Sequence, residues 1–181
     1  VGGSDVTPGL TETIVKAINN CIAIPIVLFP GDYTQITRGA DALLFLSLLS
    51  GRNPEYLIEQ QIKAVPLLKA TTLEVIPTGY ILIDGGVPSS VIRVSKTKPI
   101  AQHHTQLAVD TAIAGMYKGK KLIYLEAGSG AKEPVNMKLL ANVKRAVTIP
   151  VIVGGGIRTK EQLNNAYANG ADLVVIGTAF E

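Results

Sequence analysis

Residues 122–130 read LIYLEAGSG, an apolar strand that runs into a glycine turn, and how that turn is read decides the fold. In a doubly wound open sheet the turn would carry a three-glycine dinucleotide fingerprint at the first strand-to-helix junction. The continuation GSGAKE has Gly128 and Gly130, but Glu133 stands where the third glycine belongs, and the stretch comes late in the chain. The fingerprint fails. A (β/α)8 barrel makes a different demand: glycine and polar signals should follow most strands, because its active face is built from all the βα loops. That pattern is present, as GGS, FPGD, SGRN, PTGY, EAGSG, GGGI and GTA, each after an apolar run.

Working outward, short β-type runs alternate with helix-type segments along the whole chain, the signature of βα units and a parallel sheet. Strands are expected over residues 25–29, 42–48, 73–77 with an extension through 84, 121–126, 150–153 and 173–176. Helices are expected over 11–23, from 54 to 69 with Asn53 as cap and Pro54 at the first position, and over 101–117, 137–147 and 160–169. The opening VGGSDVT reads as the end of a further strand, and LVVIGTAFE closes on a strand and turn. Against the eight strands and about 250 residues of a complete barrel, the expectation is an α/β TIM barrel over residues 1–181, one domain, lacking the first strand and helix and the final helix.

Composition narrows the function. The chain has 181 residues, 47% of them hydrophobic and 17% charged, with 17 Lys plus Arg against 14 Asp plus Glu. The resulting +3 charge is scattered, and six Tyr and three Phe offer little stacking surface, so nucleic acid is not an expected partner. The single cysteine, Cys21, excludes an internal disulfide and reads as a buried helix residue in a reducing compartment. No apolar run approaches the ~20 residues of a membrane span, and a cytoplasmic protein is the default.

Two consecutive strand ends, VGGGI at 153–157 and VIGTAF at 175–180, suit a phosphate. Backbone N–H groups at a helix start carry partial positive charge, and glycine lets an anion come close. Gly155, Gly156, Gly177 and Thr178 are the candidates, although tight turns alone would also use glycine. Glu126 is the second signal. Side chains alternate across a strand, so Leu122, Tyr124 and Glu126 share the face expected to point inward, while Ile123 and Leu125 pack beneath the helices. A carboxylate buried at the catalytic end needs a partner or a function, and general base is one such function. A strand-end ion pair is the alternative.

YLEAGSG with GGGI and GTA, preceded by SGRNPE, IPTGY and VGGS, closely resembles the geranylgeranylglyceryl phosphate synthase family, which includes the heptaprenylglyceryl phosphate synthases. The resemblance runs the length of the chain. It implies a TIM barrel that moves a prenyl group from its diphosphate to the 3-hydroxyl of sn-glycerol 1-phosphate, with Mg²⁺, in ether phospholipid biosynthesis. Carried onto this sequence, it implies glycerol phosphate contacts at Tyr124, Leu125, Glu126, Ala127, Gly128, Ser129 and Gly130, at Gly155 and Gly156, and at Gly177 and Thr178. Most relatives have asparagine at the last position. It further implies Glu126 as the base, Ser4 as a Mg²⁺ ligand beside an aspartate on a strand outside this sequence, a homo-oligomer, and a lipid product passed on to a membrane. A hydroxyl alone holds Mg²⁺ poorly, so weak binding without substrate is expected.

Other residues admit plainer readings. His103 and His104 suit a surface or capping role, Asp32 and Asp84 turns, and Arg52 either a diphosphate contact or a structural ion pair. Phe29, Tyr33, Leu48 and Leu49 fit a prenyl groove or simple core. Two other functions use the same loops: a phosphate-binding isomerase or lyase, which would ordinarily show a lysine or a second acid at another strand end, and a non-catalytic phosphate-binding relative.

Overall fold

The computed structural model describes residues 2, 3, 6, 7 and 9–177. They build one all-parallel sheet of six strands whose spatial order is their chain order, with α-helices in every connection but that from β1 to β2, which holds only a 3-10 turn at Tyr33–Gln35; the order is that of a (β/α)8 barrel. The strands are β1 (Val27–Leu28), β2 (Ala42–Leu48), β3 (Glu74–Leu82), β4 (Leu122–Glu126), β5 (Val151–Gly154) and β6 (Leu173–Val175). The helices are α1 (Leu10–Cys21), α2 (Gln60–Leu68), α3 (Ser90–Ser95), α4 (Thr105–Tyr117), α5 (Met137–Ala146) and α6 (Lys160–Ala168).

Alternation along the strands sorts side chains into two layers. Leu44, Leu48, Tyr80, Leu82, Tyr124 and Ile152 form the inner cluster. Ile81, Ile123, Leu125, Val151 and Val153 face outward and pack with Ala108 and Ala112 of α4, Leu139, Leu140 and Val143 of α5 and Ala166 of α6. A third cluster, Val15, Ile26, Leu28, Leu43 and Leu73, closes the sheet beneath α1. Tyr124 inward and Leu125 outward is the arrangement that the period-2 reading expected.

Several element boundaries differ from expectation. Strand β3 runs unbroken through Pro77, whose missing N–H is tolerated because β4 pairs with β3 only from Thr78 onward. Helix α4 starts four residues later than expected, after an Ala101–His104 turn in which the His104 N–H donates to the Ala101 carbonyl. His104 occupies the cap position without a side-chain cap bond, and its ring lies edge-on to that of His103 at 4.2 Å. Helix α2 is preceded by a π-helical turn, Glu55–Glu59, and Asn53 caps it as expected, its Oδ1 accepting the Glu55 N–H at 3.1 Å. Cys21 is exposed rather than buried: the buried positions of α1 are Thr11 and Val15, and Cys21, its last residue, is not among them.

Candidate functional site

At the C-terminal ends of the strands lies a cavity of about 460 Å³ walled by the loops after β4, β5 and β6 and by the opening glycines. Tyr124, Glu126, Gly128, Ser129, Gly130, Gly155, Gly156 and Gly177 all line it. The structure thus brings eight of the sequence-derived candidates together. Leu125 and Ala127 sit between them in the chain but turn their side chains into the outer core. Ser4 and Thr178 lie outside the described residues.

Glu126 is 6% exposed, the last residue of β4. Its Oε1 accepts the Gly128 N–H at 2.6 Å, and the Tyr124 hydroxyl, two residues back on the same face, also donates to the carboxylate. Burial pushes the Glu126 carboxyl above its ordinary value, and the bonds from Tyr124 and Gly128 pull it only partly back. Burial, and then the Glu126 charge, hold the phenols of Tyr124 and Tyr80 well above their usual value, so both remain proton donors at neutral pH. No basic side chain pairs with Glu126 among the hydrogen bonds and ion pairs described. The strand-end ion pair is therefore not its explanation.

The β5 loop is moulded onto this carboxylate. Gly155 has φ +83°, and a Cβ there would stand 2.7 Å from Glu126 Oε1 and 2.6 Å from the Gly128 nitrogen. Glycine is required at that position both by its conformation and by the approach of the neighbouring loop. Gly154 gives way to the Tyr124 ring in the same fashion.

Sequence reasoning missed part of the wall. Tyr80 pairs in register with Tyr124, and their rings meet edge-on at 5.4 Å, with Phe29 at 5.2 Å from Tyr124 and 5.9 Å from Tyr80. The inward phase of TGYIL was the available signal, because Tyr80 shares its face with Leu82. Ser89 caps the short helix α3 and packs against Gly128; a six-residue helix shows too little periodicity to be read in advance. Arg158, directly after the GGGI turn, also lines the cavity.

A narrow apolar groove between the sheet and the α2 connection adjoins the cavity, sharing Gly3, Phe29, Tyr80 and Val91 with it. Phe29, Tyr33 and Leu48 line this groove, whereas Leu49 packs on the outer core. Asp32 serves a turn, its Oδ1 accepting the Thr34 N–H at 2.7 Å, and Asp84 does the same for Gly86 at 2.9 Å. The Arg52 guanidinium folds back onto the Gly51 carbonyl at 2.7 Å and makes no ion pair among the described residues. Among the described residues no group of three or more His, Cys, Asp or Glu side chains is placed to hold a metal ion.

Comparison with known proteins agrees with this geometry. The model of the PcrB family matches residues 1–181. The geranylgeranylglyceryl phosphate synthase of Zunongwangia profunda is 61% identical over the whole chain, which covers 77% of that relative. The enzyme of the same name from Flavobacterium johnsoniae is 55% identical, with 74% of it covered. Among solved structures, (S)-3-O-geranylgeranylglyceryl phosphate synthase from Thermoplasma acidophilum, crystallised with its substrate sn-glycerol-1-phosphate, superposes with a TM-score of 0.92 at 38% identity, over 99% of this chain and 72% of that one.

Proposed function

The chain belongs to the PcrB family, and from that membership and the cavity we propose that it is a prenyltransferase joining a geranylgeranyl or similar prenyl group to the 3-hydroxyl of sn-glycerol 1-phosphate. One observation carries the reading most directly: a buried glutamate, unpaired by any cation among the described residues, shares a cavity with three glycine-bearing loops.

The division of the mouth fits two unlike substrates. The loops at Gly128–Gly130, Gly155–Gly156 and Gly177 receive the phosphate of glycerol 1-phosphate, and the family resemblance adds Thr178, the next residue in the chain. The adjoining groove at Phe29, Tyr33 and Leu48 receives the prenyl tail, whose apolar surface matches its lining. Tyr124 fixes Glu126 by its hydrogen bond, and the carboxylate accepts the proton of the attacking hydroxyl. As the new C–O bond forms at the first prenyl carbon, the bond from that carbon to the diphosphate oxygen breaks, and diphosphate leaves with the electron pair. Binding of the phosphate among these loops holds the hydroxyl in line for this step.

Mg²⁺ is the counter-ion that the family resemblance implies for diphosphate, with Ser4 among its ligands. The described residues do not form a carboxylate cage for it. Mg²⁺ is therefore expected to bind together with diphosphate, whose oxygens complete the shell. The working form is a homo-oligomer in the cytoplasm, releasing its lipid to a membrane. Exposed Ile58 and Ile62, at 51% and 56%, supply apolar surface for assembly, and sedimentation velocity tests it by the mass of the particle.

Replacing the base is the sharpest trial of the chemistry. Glu126→Gln keeps the volume and the Gly128 contact but removes the proton acceptor, and turnover is expected to fall about 10²-fold or more. Turnover near that of the unmodified protein would remove Glu126 from the mechanism.

A further inference from the structure

Arg158 stands where the β5 glycine turn passes into α6. Its main-chain N–H donates to Gln162 Oε1 at 2.7 Å, and the neighbouring Thr159 N–H donates to the same oxygen at 3.1 Å, so the backbone beneath the side chain is anchored. The guanidinium then crosses to the β4 loop. Its Nη2 donates to the Ala131 carbonyl at 2.8 Å and, at greater length, to the Gly130 carbonyl at 3.4 Å.

The same two peptide groups are held at their other ends. The Ala131 N–H donates to the Gly128 carbonyl at 3.1 Å, and the Lys132 N–H donates to the Gly85 carbonyl at 2.9 Å. With both ends of the 130–131 and 131–132 peptides fixed, the turn that presents Ser129 and Gly130 to the cavity has one shape. The cost of leaving it unfixed would be high, since Gly128 and Gly130 are both at positive φ, +101° and +74°, where glycine has wide freedom. The guanidinium also sets a positive charge over carbonyl oxygens whose negative ends would oppose an incoming anion.

The geometry points to Arg158 as a positioning residue for phosphate recognition: its guanidinium holds the β4 turn in its anion-binding shape, acting through that turn and not on the transferring atoms. The inference rests on the reading of the cavity as the glycerol phosphate site. It assigns to an arginine a function that the backbone loops alone do not supply.

Calorimetric titration with sn-glycerol 1-phosphate, paired with steady-state kinetics, tests this on the unmodified protein, Arg158→Gln and Arg158→Lys. Arg158→Gln is expected to weaken glycerol phosphate binding about tenfold or more, since hydrogen bonds from a charged group are lost. The KM for glycerol phosphate should rise in parallel, while kcat at saturation stays within about twofold. Arg158→Lys, which keeps the charge and loses the planar fork, should recover part of the affinity. A role confined to stability would instead lower kcat and thermal midpoint together with no rescue by lysine, and would overturn the inference. So would unchanged affinity in Arg158→Gln; if that variant does not fold, unchanged affinity in Arg158→Lys decides the same way. Absence of glycerol phosphate binding by the unmodified protein would overturn the reading of the cavity itself.

Discussion

Glu126 concentrates the site's electrostatics in one side chain. Burial raises its carboxyl above the ordinary value of 4.5, so the folded protein holds that proton more tightly than the unfolded chain does. Below the unfolded value both states are protonated and Glu126 contributes nothing unfavourable. As pH climbs through the raised folded value, the unfolded state has already released its proton, and stability falls until the folded carboxyl ionises too. Denaturant unfolding followed across that range should therefore show a decline in stability that Glu126→Gln flattens. The same ionisation should switch activity on with rising pH, because only the carboxylate accepts a proton. A pH-independent difference between the two proteins would show that Glu126 is not desolvated as described. That Glu126 faces inward was legible from alternation alone. That Tyr80 stands beside Tyr124 was not, because alternation gives the inward phase of Tyr80 but nothing local in the sequence states which residue of β3 will pair with Tyr124.

At the scale of elements, the barrel's lower rim uses one device twice. Asp41, just before β2, accepts the Ile26 N–H at 2.6 Å, and Asp172, just before β6, accepts the Val151 N–H at 2.7 Å. Each aspartate also returns its own N–H to the carbonyl of the same partner residue. The carboxylate thus tethers the beginning of one strand to the next. Asp172 further meets Lys144 at the end of α5 at 2.6 Å, a solvent-facing pair that adds little. Asp172→Ala leaves the buried Val151 N–H without this acceptor and should cost about 1–2 kcal/mol of stability, read from denaturant midpoints, with KM values unchanged because the residue is at the opposite end of β5 from the cavity. Stability equal to that of the unmodified protein would show that the tether is idle. Neither aspartate stood out in the sequence, since an acid before a strand resembles any turn residue. Long periodic elements were legible: β2 falls on the expected residues, and α5 within one. Short ones were less so: β1 keeps only two of the five residues expected at 25–29, and the six of α3 show too little pattern of their own to be read.

For the molecule as a whole, glycine signals after most strands were enough to choose a barrel over an open sheet, because a barrel collects all its strand ends into one mouth; PTGY at 77–80, counted among them, lies inside β3 instead. The parallel order from β1 to β6 and the convergence of the β4, β5 and β6 loops on one cavity bear that out. What the sequence could not display is the junction of a polar cavity with an apolar groove across Phe29 and Tyr80, since Phe29 follows β1 and Tyr80 lies in β3, far apart in the chain. That junction is the reason to expect a reaction between a phosphorylated polyol and a prenyl donor. It is tested most directly by supplying the purified protein with geranylgeranyl diphosphate, Mg²⁺ and each enantiomer of glycerol phosphate, and reading products by mass spectrometry. A prenyl ether formed from sn-glycerol 1-phosphate, and not from its enantiomer, is the expected result. Glycerol phosphate bound without any ether product would contradict prenyl transfer and leave a phosphate-binding barrel of other chemistry.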